Sequence, residues 1–206
     1  MTKLLELFSG TRSVGKVADE IGWDVVSLDL KDADINCNIL DWNYHEYPPG
    51  YFDIVWASPP CNTFSAFRRG WVGRYGYTKE SLQRDIDEQG LPILYRTLEI
   101  IDYFKPKYFF IENPQTGRMK DYMLAYPHYD VDYCQYANWG YRKRTRIWTN
   151  LEGFAPRTCH QHCVNKINGK HKTSLDYSGP LKKRYRIPPM LIKELFECIS
   201  SYTGNS

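Results

Sequence analysis

Cys61 closes the tetrapeptide Ser58-Pro59-Pro60-Cys61, directly after the apolar run from Phe52 to Ala57. Such a run, stopped by two prolines, reads as a buried strand with a thiol at its carboxyl end. Ligands of α/β sheets bind outside those ends. A thiol there suits attack on carbon, because thiolate is already slightly populated at neutral pH. The competing reading is a buried, inert cysteine. Glu112 follows a second apolar run, Tyr108 to Ile111. An acid in that place can protonate an electron-poor ring while a thiolate adds to it. Its bland counterpart is a capping or ion-paired carboxylate.

Three further groups of residues could serve such chemistry. Phe8-Ser9-Gly10-Thr11 follows the apolar run Leu4 to Phe8 and precedes a helical pattern, so a ligand could approach the backbone at Gly10. Asp29 ends a second run, Asp24 to Leu28, where an acid can hold a ribose diol. Together they suggest an adenosine-containing cofactor, although any α/β protein needs a turn at Gly10. Arg142, Arg144 and Arg146 share one face of an alternating strand and suit a phosphate or a carbonyl oxygen, or else mark a solvated edge. The loop from Asn62 to Thr78 carries Phe64, Arg68, Arg69 and Arg74, with glycines at 70, 73 and 76. It reads as a clamp over a nucleic-acid chain, or as a loop packed on its own core.

These residues need a scaffold. With 206 residues, 42% of them apolar, the chain can bury the core of one ordinary domain. It has no 18-residue apolar run and no secretory signal at Met1, so no membrane span and a cytoplasmic location are expected, with a viral or phage origin left open. The six cysteines, 37, 61, 134, 159, 163 and 198, are then expected as thiols or metal ligands. A monomer is the favoured oligomeric state. Net charge is +3, yet Arg142 to Arg186 holds twelve Lys/Arg against Glu152 and Asp176. That segment, with Lys170 and Lys172, points to a polyanionic partner.

Strands are expected at Leu4–Phe8, Asp24–Leu28, Phe52–Ala57, Tyr108–Ile111, Tyr129–Gln135 and Arg144–Thr149. Helices are expected at Val14–Ile21, at Lys79–Phe104 with a break near Gly90-Leu91-Pro92, and at Pro188–Ile199. The alternation implies a doubly wound, mainly parallel sheet of the Rossmann-like kind. Residues 1–150 form the main domain, 151–183 an irregular insertion, and 184–206 a helix returning to the main domain. Within the insertion, Cys159, His162, Cys163 and His171 have the composition of a zinc site, or of free thiols beside phosphate-facing histidines.

In order from end to end, Phe8-Ser9-Gly10, Asp29, Ser58-Pro59-Pro60-Cys61, Glu112-Asn113, Arg144-Thr145-Arg146, a variable segment and a Pro-Pro helix resemble the cytosine-5 DNA methyltransferase family. The resemblance implies an S-adenosylmethionine-dependent enzyme with a methyltransferase fold. It implies that Phe8, Ser9, Gly10, Thr11, Asp29, Leu30, Asn38, Ile39, Ser58 and Pro60 line the cofactor. Cys61 would add to carbon 6 of a flipped cytosine. Glu112 would contact ring nitrogen 3 and the exocyclic amine, and Arg144 and Arg146 would support the base. The chain departs from the family at Pro114 after Glu112-Asn113, at Arg142 in place of a glutamine, and at Tyr185-Arg186 in place of Gly-Asn. Its recognition segment is small, so a short or relaxed sequence preference is expected. An RNA substrate, or a non-catalytic nucleic-acid-binding module on the same scaffold, are the alternatives.

Overall fold

The computed structural model describes residues 1–175 and 181–203; part of the 151–183 insertion, with Asp176, therefore lies outside the described residues. In chain order, β1 (Lys3–Leu7), α1 (Ser13–Glu20), β2 (Asp24–Asp29), β3 (Ile35–Asn36) and β4 (Ile54–Ala57) lead to α2 (Lys79–Asp85), α3 (Leu91–Phe104) and β5 (Tyr108–Pro114). Then follow β6 (His128–Asp132), β7 (Arg144–Thr149), β8 (Lys166–Ile167), β9 (Lys170–His171), α4 (Leu181–Tyr185) and α5 (Pro189–Thr203).

Seven strands form one sheet in the order β3-β2-β1-β4-β5-β7-β6. Strand β7 alone runs antiparallel, to both β5 and β6. The chain order reverses between β1 and β4, which puts the ligand crevice of such a sheet beside the ends of those two strands. Alternating side chains build a core on each face. Leu4, Trp56, Phe110 and Ile147 pack on one side with Val14 and Val17 of α1 and Leu191, Leu195 and Phe196 of α5. Leu5, Leu7, Val55, Ala57 and Ile111 pack on the other side with Leu94, Ile100 and Phe104 of α3. Trp56 stacks on Phe110, its neighbour in the β4–β5 register, at 5.1 Å between centroids. This two-sided burial is why the strands read as continuous apolar runs.

The expected mainly parallel, doubly wound sheet is present. Three expectations change in detail. The helix between 79 and 104 does not break at Gly90-Leu91-Pro92; it passes through a π-turn at Ile86–Gly90 into α3. The Leu91 amide donates to the Ile86 carbonyl, and Pro92 falls in the first turn of α3, where a missing donor costs least. Strand β6 stops at Asp132, and Tyr133–Gln135 is a 3-10 turn. The final helix begins at Pro189 and runs on to Thr203. Among the described residues no helix is long and apolar enough to cross a membrane.

Candidate active site

Cys61 lies in the loop that leaves β4, half-buried at the carboxyl edge of the sheet. The loop is pinned from β5: the Asn113 side-chain amide donates to the Pro59 carbonyl at 2.8 Å. At its start, the Ser58 hydroxyl accepts from the Trp56 indole at 3.1 Å. Burial pushes the Cys61 thiol up; Lys143 pulls it down, Glu112 pushes it up, and Arg184 pulls it down more weakly. The net shift is upward, so this thiol needs its cationic neighbours to ionise.

Glu112 is buried near the end of β5. Its Oε1 accepts the Tyr133 hydroxyl at 3.0 Å and the Lys143 ammonium at 3.4 Å. Burial, and then the charge of Glu112, hold the Tyr133 phenol well above its ordinary range, so it stays a donor. Lys143 also lies over the Tyr133 ring, 4.8 Å from its centroid, and donates to the Arg184 carbonyl. Cys61 and Glu112 thus sit in one another's field, with one cation serving both.

Arg144 and Arg146 take a different place from the one expected. Glu112 faces Ile147 across the β5–β7 register, so Lys143, Thr145 and Ile147 share its side of β7. Arg142, Arg144 and Arg146 alternate onto the opposite side. There Arg146 pairs bidentately with Asp130 at 2.7 and 2.8 Å, and Arg142 does the same with Asp132. Arg144 is half-exposed, its Nε 4.0 Å from Asp132. Burial raises both aspartates, but the arginine hydrogen bonds and charges outweigh it and hold them below the usual carboxylate range. The cation at Glu112 is therefore Lys143, which the sequence reading passed over because it falls out of phase with the three arginines. Tyr133 was missed because it lies beyond the end of β6.

The turn after β1 is unusual backbone. Phe8, Gly10 and Arg12 all have positive φ, at 58°, 49° and 51°. Asp29 organises it: one carboxylate oxygen accepts from the Gly10 amide at 2.8 Å, the other from the Leu30 amide at 2.7 Å. The Ser9 hydroxyl is buried without a hydrogen-bond partner. Beneath the turn, Glu6 accepts from the amides of Val14 and Gly15 at the start of α1. A Cβ on Gly15 would lie 2.7 Å from the Glu6 carboxylate, so any larger residue would push that carboxylate off the two amides. Ser13 Oγ accepts from the Ile187 amide and so ties this turn to the segment before α5. Of the other cofactor candidates, Thr11 bonds Ser13, Leu30 and Asn38 are exposed, Ile39 is buried in the core, and Ser58 and Pro60 lie in the Cys61 loop.

The nucleic-acid candidates divide. Phe64 is not on the surface: it is 1% exposed, packed beneath the loop against Gly90 and edge-on to Tyr122. A Cβ on Gly90 would come within 2.8 Å of its ring. Arg68 is ion-paired to Asp85 and lies over the rings of Trp71 and Tyr77. Arg69, Arg74, Lys170 and Lys172 are exposed. In the insertion, His162 is exposed and apart from the other metal candidates; Cys134 takes its place beside Cys159, Cys163 and His171, with all four ligand atoms within 4.8 Å of one another.

Residues 24–116 match the family of C-5 cytosine-specific DNA methylases. A protein of Frog virus 3 (isolate Goorha), described as a probable DNA (cytosine-5)-methyltransferase, is 47% identical over 95% of this chain and 99% of its own length. The chain belongs to the cytosine-5 DNA methyltransferase family. Family members are methyltransferase enzymes, and the fold agrees with solved structures. A methyltransferase of Entamoeba histolytica superposes with a TM-score of 0.53 at 14% identity, over 84% of this chain and 57% of the other. Spodoptera frugiperda DNMT2 superposes with a TM-score of 0.50 at 17% identity, over 78% of this chain and 55% of the other. The chain thus spans a little over half the length of these solved structures.

Proposed function

We propose that this protein transfers a methyl group from S-adenosylmethionine to carbon 5 of cytosine in DNA, through a covalent bond between Cys61 and carbon 6 of a flipped base. The observation that carries the reading is the meeting of Cys61, Glu112 and Lys143 at the carboxyl edge of β4 and β5. The adjoining turn suits the cofactor. Asp29 is fixed by two backbone amides at the tip of β2, where it can still accept a ribose diol, and the Ser9 hydroxyl is buried and unpaired. When bound there, S-adenosylmethionine supplies an electrophilic methyl group.

The chain's own residues do the rest. Lys143 helps the Cys61 thiol ionise, and the thiolate adds to carbon 6. Glu112, held by Tyr133, gives a proton to ring nitrogen 3 as electron density moves into the ring, which makes carbon 5 nucleophilic, and takes that proton back after transfer. Water then accepts the carbon 5 proton, its electron pair re-forms the carbon 5–carbon 6 double bond, and Cys61 leaves as thiolate. The base must leave the stack for the thiol to reach it. Exposed Arg69, Arg74, Lys170 and Lys172 suit phosphate contacts, which position a duplex without reading its sequence; with so small an insertion, a short or relaxed sequence preference follows. The same reading keeps a zinc ion as a second, purely structural cofactor.

The test is release of tritium from carbon-5-labelled cytosine, measured side by side in DNA and transfer RNA. Release from DNA is expected, with a fall of about 10⁴-fold or more in Cys61→Ser, the scale of losing a nucleophile. Undiminished release in that variant removes the covalent mechanism. Release from RNA alone changes the substrate.

A further inference from the structure

We infer that Cys134, Cys159, Cys163 and His171 form a closed structural zinc site that fastens the recognition segment to the turn presenting Tyr133 to Glu112. Cys134 comes from the 3-10 turn that follows β6, Cys159 from irregular chain, Cys163 from the turn between His160 and Lys166, and His171 from β9. A tetrahedral zinc ion with Zn–S of about 2.3 Å and Zn–N of about 2.0 Å separates its ligand atoms by roughly 3.5–3.8 Å. Here His171 Nε2 lies 3.5 Å from Cys159 Sγ and 3.9 Å from Cys163 Sγ. Cys134, Cys159 and Cys163 form no disulfide, so none explains why the three thiols meet. Three thiolates and one imidazole form a soft tetrahedral set that favours zinc over magnesium or calcium. Cys134 and Cys163 are buried at 3% and 4% exposure, and four protein ligands leave no place for a reacting water.

The backbone around the cluster is shaped to hold it. The Lys166 amide donates to the Cys163 carbonyl, closing a turn, and the β8–β9 hairpin reverses at Asn168 and Gly169, both with positive φ, to bring His171 back. The need is physical too: between 151 and 175, only Leu151, Phe154, Cys163 and Asn165 are buried. A segment with that little core gains its fold from a metal.

The site touches the catalytic residues through its neighbours in the chain. Tyr133, which donates to Glu112, immediately precedes Cys134. The Tyr133 amide donates to the carbonyl of Lys143, the other partner of Glu112. The Cys159 amide donates at 2.7 Å to Asp132, which holds Arg142. A metal that fixes Cys134 therefore fixes the turn from which Tyr133 reaches the active site.

The experiment is elemental analysis of the full-length protein purified without chelator. One zinc per chain is expected. His171→Ala should lose it and His171→Cys, which makes a four-thiolate site, should keep it. Cys134→Ser should lose it, whereas His162→Ala should retain it. Cobalt added to the metal-depleted protein should give thiolate-to-metal charge-transfer absorption, and zinc removal should speed tryptic cleavage at Lys166, Lys170 and Lys172 at least several-fold. Wild-type protein without zinc that also fails to take up cobalt overturns the proposal. So does loss of zinc in His162→Ala with retention in Cys134→Ser. None of these readings uses methyl transfer, so a protein that binds zinc but does not methylate, or the reverse, separates this site from the catalytic reading.

Discussion

Cys61 and Glu112 are placed by β4 and β5, whose residues Trp56, Phe110 and Ile111 are fully buried, whereas the chain from 151 to 175 buries four residues, one of them the polar Asn165. At the sheet edge, apolar burial fixes the strands, and the reactive side chains inherit their places from register. In the insertion, specific polar bonds share that work with the inferred metal site. Asn165 donates to the carbonyls of Cys134 and Ala137 and accepts from the Gly140 amide, and Asp132 receives both Arg142 and the Cys159 amide. The difference teaches that the edge should tolerate loss of single polar groups structurally while losing chemistry. The insertion should lose structure.

The largest expected effect tests the edge. Glu112→Gln should lower methyl transfer by about 10²–10⁴-fold, the range for removing a positioned acid, and should cost no more stability than Asp132→Asn, because glutamine still accepts from Tyr133 and Lys143 keeps the Arg184 carbonyl. A larger loss of stability than in Asp132→Asn would break the contrast. Next, Asp132→Asn removes a carboxylate that serves three donors. It should destabilise the protein by about 2 kcal/mol, less than a fully buried pair because Arg142 is partly exposed. Urea unfolding checks this, together with proteolysis of the insertion. Asn165→Ala should cost about 1–3 kcal/mol, since it leaves the amide of Gly140 without a partner and takes a donor from the carbonyls of Cys134 and Ala137. An unchanged protein would show that the insertion is held by something other than these bonds.

A fourth effect depends on pH. Burial pushes Glu6 from 4.5 up to about 7, against the pull of the Gly15 and Val14 amides and Arg12. The folded state therefore binds a proton more tightly than the unfolded state. Its contribution is fully present below about pH 4.5 and is lost as pH rises towards about 7, at up to ~1.4 kcal/mol per pH unit. Denaturant titrations at pH 5.5 and 7.5 should show this decline, and Glu6→Gln should flatten it. The smallest effect is at the thiol. Lys143→Met removes a cation that lowers the Cys61 value, so alkylation of Cys61, followed by mass spectrometry, should shift to higher pH.

How much was legible follows from the range of each interaction. Strands β4 and β5 were visible because burial on both faces leaves apolar runs, and β7 because its arginines alternate with buried residues. Cys61 and Glu112 were visible because they end two of those runs. The insertion carried no period to read, and Cys134, 25 residues before Cys159, joins the Cys/His cluster only when β6 ends beside it. Phe64 read as a surface aromatic because nothing local tells a base-stacking ring from a wedge; Gly90, on the π-turn, makes room for it.

The sequence by itself determined the alternation of strands and helices, the thiol and the acid at strand ends, and the basic bias of the carboxyl half, since each depends on residue type and near neighbours. Only the tertiary structure decided which cation serves Glu112, because β7 sends Lys143 to one face and its three arginines to the other. It also decided which four side chains could share a metal, because that depends on distances between segments far apart in the chain.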